Sequence, residues 1–181
     1  KCGDSGFRGR KGVFEIFVDG EGRLSNYQGE IKALPKLSKE QDLAYKEIKS
    51  AYEKQDVVLF HGITGSGKTE VYIQLIQEAI DEGRQVCYLL PEIALTTQII
   101  TRLQKVFGDA VGGYHSKFNL NERVEMWNEL LKPNSKFKVV LGARSCMFLP
   151  FSNLGLVIVD EEHENTFKQF DPAPRYHGRD M

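Results

Sequence analysis

The sequence predicts an α/β fold of three layers, in which a mostly parallel sheet is covered by helices on both faces. From residue 57 onward, short apolar runs alternate with longer segments whose apolar residues recur every three or four positions. This is the pattern of strands alternating with amphipathic helices. The runs are apolar at consecutive positions, as expected of strands buried on both faces. Gly83 and Gly108 follow two of the helical segments, where a left-handed residue commonly ends a helix.

The segment before this regular pattern predicts a separate unit. Residues 13–29 suggest a short hairpin, because the turn DGEG joins the partly apolar runs VFEIFV and RLSNYQG. The polar residues around Pro35 look like a linker. We therefore expect residues 1–34 to be the end of a preceding domain plus a linker, and residues 35–181 to form the α/β domain.

The α/β domain opens with a predicted helix and continues with five predicted strands. Ser38 followed by Gln41 fits a capping box, and apolar residues at helical spacing follow, which predicts a helix over residues 38–54. The predicted strands are VVLF at 57–60, VCYLL at 86–90, AVGGYH at 110–115, KVVLG at 138–142 and GLVIVD at 155–160. Between the strands, helices are predicted around residues 72–80, 99–107 and 124–131.

The length and composition are those of one globular domain with some additional chain. The 181 residues are 41% hydrophobic. No run approaches the roughly 18 apolar residues of a membrane span, and no segment resembles a secretory signal, so we expect a cytoplasmic protein without membrane contact. The chain begins at Lys1 and not at Met, which suggests a piece of a longer protein. The net charge of -1 provides no general electrostatic reason to expect nucleic acid.

The three cysteines do not predict a metal site. Cys2, Cys87 and Cys146 are far apart and form no C-x-x-C pair, so neither zinc nor a disulfide is expected within this chain. Cys87 and Cys146 have apolar neighbours, and we expect both to lie in the core.

The segment GITGSGKT predicts a site for nucleotide phosphates. It matches the pattern G-x-x-x-x-G-K-[ST], with a predicted strand before it and a predicted helix after it. Glycines let backbone N–H groups converge on phosphate oxygens, and the helix start adds the positive end of its dipole. The predicted catalytic Lys68 would contact the β and γ phosphates, and the Thr69 hydroxyl would bind Mg²⁺. An accidental glycine-rich turn is the alternative. The residues predicted to bind the nucleotide are Gly62, Thr64, Gly65, Ser66, Gly67, Lys68 and Thr69.

A second polar cluster, DEEHE, follows the last predicted strand. Asp160 ends an apolar run, so it is expected at the carboxyl end of a central strand, where open α/β sheets bind ligands. There Asp160 would hold Mg²⁺ through a water, and Glu161 would polarise the attacking water. A helix cap is the alternative for Asp160. Glu162 and Glu164 are expected to be surface charges in a first helical turn. His163 is interpreted as a polar link between the ATP site and the rest of the protein, or as a helix-face residue.

Together these motifs resemble a known family of motor enzymes. GSGKT followed by DEEH is similar to the DExH branch of superfamily 2 helicases and translocases. The segments PEIALTTQ, YHS, GARSCMFLPF and KQFDPAPRYHGRD look like the PriA family of replication-restart DNA helicases, and the resemblance is collinear over about residues 37–181. It implies a motor of two RecA-like lobes, driven by ATP with Mg²⁺, that acts on single-stranded and forked DNA. This chain resembles the first, ATP-binding lobe.

The resemblance also implies partners and further site residues. Gln41 would be an adenine-sensing glutamine, although its place in the capping box offers a purely structural role. Thr96, Arg144 and Ser145 would lie along the DNA-binding edge and contact phosphates, which sets position without reading sequence. Primosome proteins and single-strand-binding protein are implied as partners. Zinc is implied only for a carboxyl-terminal region of the family, and residues 13–24 would be the last part of a winged-helix domain.

The segment after DEEH resembles the aromatic-rich loop of the family. Its rings are interleaved with cations, a composition suited to base stacking together with phosphate contacts. For Phe167, an ordinary packed position is an equal alternative. The residues implied in DNA binding are Phe167, Lys168, Phe170, Arg175 and Tyr176.

Three other functions compete with a PriA-like helicase. Another DExH motor, such as an RNA helicase or a restriction or repair translocase, would share the nucleotide site but not the segments that look like PriA. A P-loop kinase or small-molecule NTPase would leave GARS and the aromatic loop without a role. The third is a non-catalytic nucleotide-sensing module. It comes close to what we expect of this chain alone, namely nucleotide binding with little turnover, because two-lobe motors need arginines of the second lobe for hydrolysis.

Overall fold

A computed structural model describes residues 27–63, 65–91, 97–114, 119–171 and 175–178. The α-helices of this part are α1 (Lys39–Tyr52), α2 (Lys68–Asp81), α3 (Thr97–Phe107) and α4 (Leu120–Leu130). The strands are β1 (Gln85–Leu89), β2 (Val111–Tyr114), β3 (Val139–Gly142) and β4 (Leu154–Val159). Short 3-10 helices cover Gly108–Ala110, Arg144–Phe148 and Asn165–Phe167. Of the hairpin predicted at residues 13–29, the structure describes only residues 27–29, and these form no strand. The division into two domains stays a prediction.

The four described strands form one parallel sheet in the order β2-β3-β1-β4. Val86 of β1 lies opposite Val139 of β3 and Leu156 of β4. On its other edge β3 pairs with β2, where Val111 lies opposite Val139. Parallel strands that follow one another need a crossover, and α3 and α4 lie in two of these connections. The predicted parallel α/β sheet is confirmed.

A hydrophobic core on each face of the sheet confirms the three layers. On one face, α2 and α3 pack on the strands in a cluster that includes Ile76, Tyr88 and Leu103. On the other face, α4 packs in a cluster that includes Cys87 and Met126. Cys87 and Tyr88 are successive residues of β1 and join different clusters, because side chains alternate across a strand. All five residues of β1 are buried.

Both cysteines of the described chain lie in the core, as predicted. Cys87 and Cys146 are buried free thiols whose Sγ atoms are 3.8 Å apart. The contact with Cys87 and burial raise the pKa of the Cys146 thiol well above its ordinary value. The Cys146 thiol is therefore protonated and unreactive at neutral pH.

Local sequence signals fix the helix ends. Ser38 before α1 and Asn119 before α4 each form a capping box with the residue three positions later. Gly83 and Gly108 follow α2 and α3 with φ of 74° and 58°, which confirms the predicted left-handed ends. Among the described helices none has the length and apolarity to cross a membrane.

One of the five predicted strands is wrong. Residues 57–60 (VVLF) form no strand in the described chain. Val58 and Phe60 pack against the core, whereas Val57 and Leu59 are 82% and 75% exposed. The side chains alternate as in a strand, but a strand also needs a neighbour for its backbone hydrogen bonds. No described strand pairs with this segment, and apolar composition alone could not reveal that.

The last strand is less buried than predicted. β4 pairs only with β1 and forms an edge of the described sheet. Leu154 and Val157 are each 45% exposed. Within the described residues β4 is thus an edge strand and not the central strand that its apolar sequence predicted. A continuous apolar run indicates burial on both faces only when a layer covers each face.

Candidate nucleotide site and aromatic loop

The predicted phosphate loop is bent by two glycines at the start of α2. Gly65 and Gly67 have φ of 81° and 80°, a region in which L side chains are strained. A Cβ on Gly67 would lie 2.2 Å from Nε2 of Gln41. Lys68, the first residue of α2, donates a hydrogen bond from Nζ to the carbonyl of Gly62 at 2.7 Å. The described part of the loop therefore contains two left-handed glycines, and phosphate binding by the loop stays a prediction.

The remaining residues of the predicted phosphate loop are placed in part. Thr69 lies in the first turn of α2, next to Lys68, and Ser66 is exposed in the loop. Thr64 lies outside the described residues. The described part of the loop leads directly into the start of α2, as predicted, where a helix presents the positive end of its dipole.

Gln41 has a structural role that its capping pattern predicted. Its Oε1 accepts a hydrogen bond from the backbone N–H of Ser38 at 2.8 Å. Its Nε2 donates to the carbonyl of Gly67 at 3.1 Å. Gln41 thus connects the start of α1 to the phosphate loop. Recognition of adenine by Gln41 stays a prediction.

Asp160 lies directly after the carboxyl end of β4. Its backbone N–H donates to the carbonyl of Leu89 at 3.0 Å, so the residue continues the pairing of β4 with β1. Its Oδ1 accepts from the backbone N–H of Glu161 at 3.1 Å, and its Oδ2 accepts from the hydroxyl of Tyr88 at 3.0 Å. Glu161 has φ of 52°, a strained conformation for a residue with a side chain, of the kind that clusters at active sites.

Two tyrosines connect Asp160 to α2. The ring of Tyr72 on α2 contacts the ring of Tyr88 edge to face, with centroids 5.8 Å apart. Burial raises the pKa of Tyr72, and the charges of Asp160 and Glu161 raise it further. Tyr72 lies one turn after the phosphate loop on the same helix. The loop and the two carboxylates therefore lie at the same end of the sheet.

Sequence reasoning missed Tyr88. The apolar run VCYLL predicts a buried strand and gives Tyr88 no separate role. The signal was available, because a tyrosine inside an otherwise apolar buried strand, VCYLL, must find a partner for its hydroxyl.

The rest of DEEHE lies in turns, and the predicted α-helix there is wrong. Residues 160–163 form a turn, which leads into the 3-10 helix Asn165–Phe167. Two residues after the end of β4, Glu161 adopts a left-handed conformation, which does not continue into an α-helix. Glu162 and Glu164 are half-buried. Nε2 of the exposed His163 lies 3.6 Å from Oε2 of Glu161, so His163 contacts the predicted catalytic pair.

The aromatic loop is closed by backbone hydrogen bonds. The N–H of Gln169 donates to the carbonyl of Tyr176, and the N–H of Gly178 donates to the carbonyl of Phe167, both at 2.8 Å. Phe167 is only 1% exposed and belongs to the core cluster around α4. A ring in this position cannot stack on a base, so the predicted DNA contact of Phe167 is wrong. The alternative of a packed position is correct.

Other aromatic and basic residues of the loop are on the surface. Phe170 is 59% exposed, and Nζ of Lys168 lies 4.9 Å from its ring centroid. Tyr176 is partly exposed, and its ring meets that of Phe148 edge to face at 5.2 Å. Phe148 is 48% exposed, although its place in the apolar run CMFLPF predicts a buried ring. Arg175 is also exposed.

Arg144 connects the aromatic loop to the 3-10 helix that follows β3. Its Nη1 donates to the carbonyl of Thr166 at 3.0 Å and to that of Lys168 at 2.9 Å. Ser145 is exposed beside it, whereas Thr96 lies outside the described residues. Phosphate binding by Arg144 and Ser145 stays a prediction. The structure adds a role for Arg144 in holding the loop.

The candidate site suits Mg²⁺ that arrives with a nucleotide. Thr69 and Asp160 offer a hydroxyl and a carboxylate, the oxygen ligands that this ion prefers. Asp160 uses one hydrogen bond on each carboxylate oxygen, which leaves lone pairs for a metal-bound water. Across the described residues no three His, Cys, Asp or Glu side chains are grouped to hold a metal themselves. Phosphate oxygens and water would have to complete the coordination.

Known proteins match this chain over most of its length. The DEAD/DEAH box helicase family matches residues 38–181. Replication restart protein PriA of Bacillus subtilis (strain 168) is 40% identical over 147 residues, which cover 80% of this chain and 18% of that protein. PriA of Synechocystis sp. is 45% identical over 122 residues, which cover 67% of this chain and 14% of that protein. PriA of Haemophilus influenzae is 41% identical over 145 residues, which cover 80% of this chain and 19% of that protein. The chain spans less than a fifth of the length of these relatives.

The family match includes both motifs of the candidate site and the aromatic loop. The parallel sheet with helices on both faces is that of a RecA-like lobe. The chain therefore belongs to the DEAD/DEAH box helicase family, as a PriA-like helicase lobe.

Proposed function

We propose that this chain is the ATP-binding lobe of a PriA-like DNA helicase that acts in primosome assembly and in the restart of stalled replication forks. The observation that carries the proposal is the placement of the phosphate loop and of Asp160 and Glu161 at one end of the sheet, connected by the contact of Tyr72 with Tyr88. This arrangement suits phosphoryl transfer to water, which depends on positioning and on charge stabilisation.

Each residue of the site has a distinct task in this proposal. Lys68 exchanges its hydrogen bond with Gly62 for the β and γ phosphates. Thr69 and Asp160 hold Mg²⁺, which neutralises the charge that develops on the phosphate oxygens. Glu161 orients the attacking water. The strained backbone of Glu161 sets the direction of its carboxylate relative to that of Asp160.

The exposed part of the aromatic loop is proposed to bind single-stranded DNA. Aromatic rings stack on bases regardless of sequence, and nearby cations contact the phosphates. Phe170 with Lys168, and Tyr176 with Phe148, offer such pairs of groups on the surface. Local chemistry of this kind allows DNA binding by a chain whose net charge is only -1. Primosome proteins and single-strand-binding protein are the proposed partners of the intact protein.

The test is ATP hydrolysis by the intact protein with forked DNA and, in parallel, with structured RNA. Stimulation by forked DNA is expected. Stimulation by RNA alone would favour another DExH motor, and turnover indifferent to both nucleic acids would favour a small-molecule NTPase.

A variant pair assigns the turnover to this site. Glu161→Gln keeps the shape of the side chain but removes its charge, so it should preserve ATP binding and lower hydrolysis at least about a hundredfold. Glu164→Gln is the matched control, since this nearby carboxylate has no proposed role. Unchanged turnover in Glu161→Gln would contradict the role of Glu161.

A further inference from the structure

The hydrogen bond from Tyr88 to Asp160 is not part of either sequence motif of the nucleotide site. Tyr88 lies in β1 and is fully buried, at 0% exposure. Its hydroxyl donates to Oδ2 of Asp160 at 3.0 Å. A buried hydroxyl without a partner would destabilise the fold, and here the partner is the carboxylate proposed to hold Mg²⁺.

The position of the Tyr88 hydroxyl is fixed by the packing of its ring. The ring meets Tyr72 edge to face, at 5.8 Å and 73° between planes. Tyr72 in turn meets Phe60 edge to face, at 6.1 Å and 88°. A carboxylate only accepts hydrogen bonds, so the hydroxyl of Tyr88 is the donor in this contact.

The Asp160 carboxylate would be held on one side only without this bond. Its Oδ1 accepts from the backbone N–H of Glu161, a local contact within the turn. The χ2 rotation of Asp has broad energy wells, so one contact leaves room for reorientation. Two donors, one on each oxygen, restrict the carboxylate to a single orientation while each oxygen retains a lone pair for a further donor.

We propose that Tyr88 is a positioning residue that orients Asp160 toward Mg²⁺ bound with the nucleotide. This inference rests on the proposed nucleotide site and assigns a residue from a neighbouring strand to its metal-binding side. Hydrogen-bond partners of metal-binding side chains typically change metal affinity by about 10-fold to 100-fold when removed. The same order of effect is expected here.

The experiment uses Tyr88→Phe in the intact protein, with Tyr72→Phe as the matched control. Each substitution removes one hydroxyl from a buried ring and keeps the ring packing. Among the described residues, the Tyr72 hydroxyl has no hydrogen bond to Asp160. Two affinities are measured: Mn²⁺ for the ADP-bound protein, by electron paramagnetic resonance, and fluorescently labelled ADP for the protein in the presence of a chelator. Near-ultraviolet circular dichroism checks that both variants keep the native packing.

Tyr88→Phe should weaken Mn²⁺ binding about tenfold, whereas Tyr72→Phe should change it less than about twofold. Metal-free ADP affinity should stay within about twofold for both variants. Unchanged Mn²⁺ affinity in Tyr88→Phe, or an equal loss in Tyr72→Phe, would overturn the role of Tyr88 while leaving the nucleotide site intact. Absence of ADP binding by the unsubstituted protein would overturn the nucleotide site itself and Tyr88 with it.

Discussion

Nζ of Lys68 donates to the carbonyl of Gly62 within the phosphate loop, at 2.7 Å, so the ammonium group already lies where a phosphate group would enter. We expect Lys68→Ala to abolish stabilisation of the chain by ADP, because it removes the cation that pairs with the phosphates. For the unsubstituted chain, ADP at about 100 times its dissociation constant should add about 2.7 kcal/mol to the free energy of unfolding. Thermal unfolding with and without ADP measures the difference. Lys54→Ala, at an exposed lysine beyond α1, is the control. Retained stabilisation in Lys68→Ala would refute the phosphate site.

Phe167 and Phe170 are three positions apart in the same loop but differ in burial, 1% against 59% exposed. Phe167→Ala, which truncates the buried ring, should lower the free energy of unfolding by about 3–5 kcal/mol. Phe170→Ala should change the free energy of unfolding by less than about 0.5 kcal/mol. For single-stranded DNA the order of the two effects should reverse. Phe170→Ala should weaken the free energy of DNA binding by about 1–3 kcal/mol, because a ring that stacks on a base is lost. Urea unfolding and fluorescence anisotropy measure the two effects. Unaffected DNA binding in folded Phe170→Ala would exclude a stacking role for this ring.

At the scale of elements, the phosphate loop can be compared with an ordinary helix end. Gly67 before α2 and Gly83 after it have similar positive φ, 80° and 74°. Alanine at either position should cost about 1–2 kcal/mol of stability from backbone strain. Only at Gly67 would the new Cβ meet another group, Nε2 of Gln41 at 2.2 Å, whereas nothing lies within 4 Å at Gly83. Gly67→Ala should therefore also lower nucleotide affinity, and Gly83→Ala should not. Titration with labelled ADP distinguishes the two, and equal affinities would show that crowding at Gly67 does not matter.

The elements that the sequence predicted correctly are those specified by local signals. The capping box at Ser38 and the helical spacing after it depend on residues within one turn, and they predicted α1. The apolar run at 57–60 predicted a strand wrongly, because strand formation depends on a pairing partner elsewhere in the chain. Tyr88 and Phe167 show the same limit in the site. The role of Tyr88 depends on its contact with Asp160, which is 72 positions away in sequence. The burial of Phe167 depends on packing in the core cluster of α4.

In the whole molecule, the two carboxylates of the nucleotide site and the aromatic loop are close in sequence. Glu161 is followed within a few residues by the buried Phe167, which anchors the loop in the core. Arg144 joins the loop to the end of β3 through two backbone carbonyls. The segment between the carboxylates and the exposed rings is therefore short and anchored in the core.

The chain by itself should bind nucleotide but hydrolyse it slowly. Phosphoryl transfer to water needs stabilisation of the charge on the γ phosphate, and an arginine supplied from a second domain contributes about 10³-fold to 10⁵-fold in such enzymes. The chain spans less than a fifth of the three PriA proteins compared above, and the described site offers Lys68 as its only cation placed within the phosphate loop. We therefore expect its kcat to be at least about a thousandfold below that of the intact protein, with or without DNA. Turnover is measured as phosphate release, and the Lys68→Ala chain gives the background rate of release. Thermal stabilisation by ADP shows that the unsubstituted chain is folded. Turnover by the chain within about tenfold of the intact protein would mean that Lys68, Asp160 and Glu161 suffice for hydrolysis, and that a second lobe serves movement along DNA and not the chemical step.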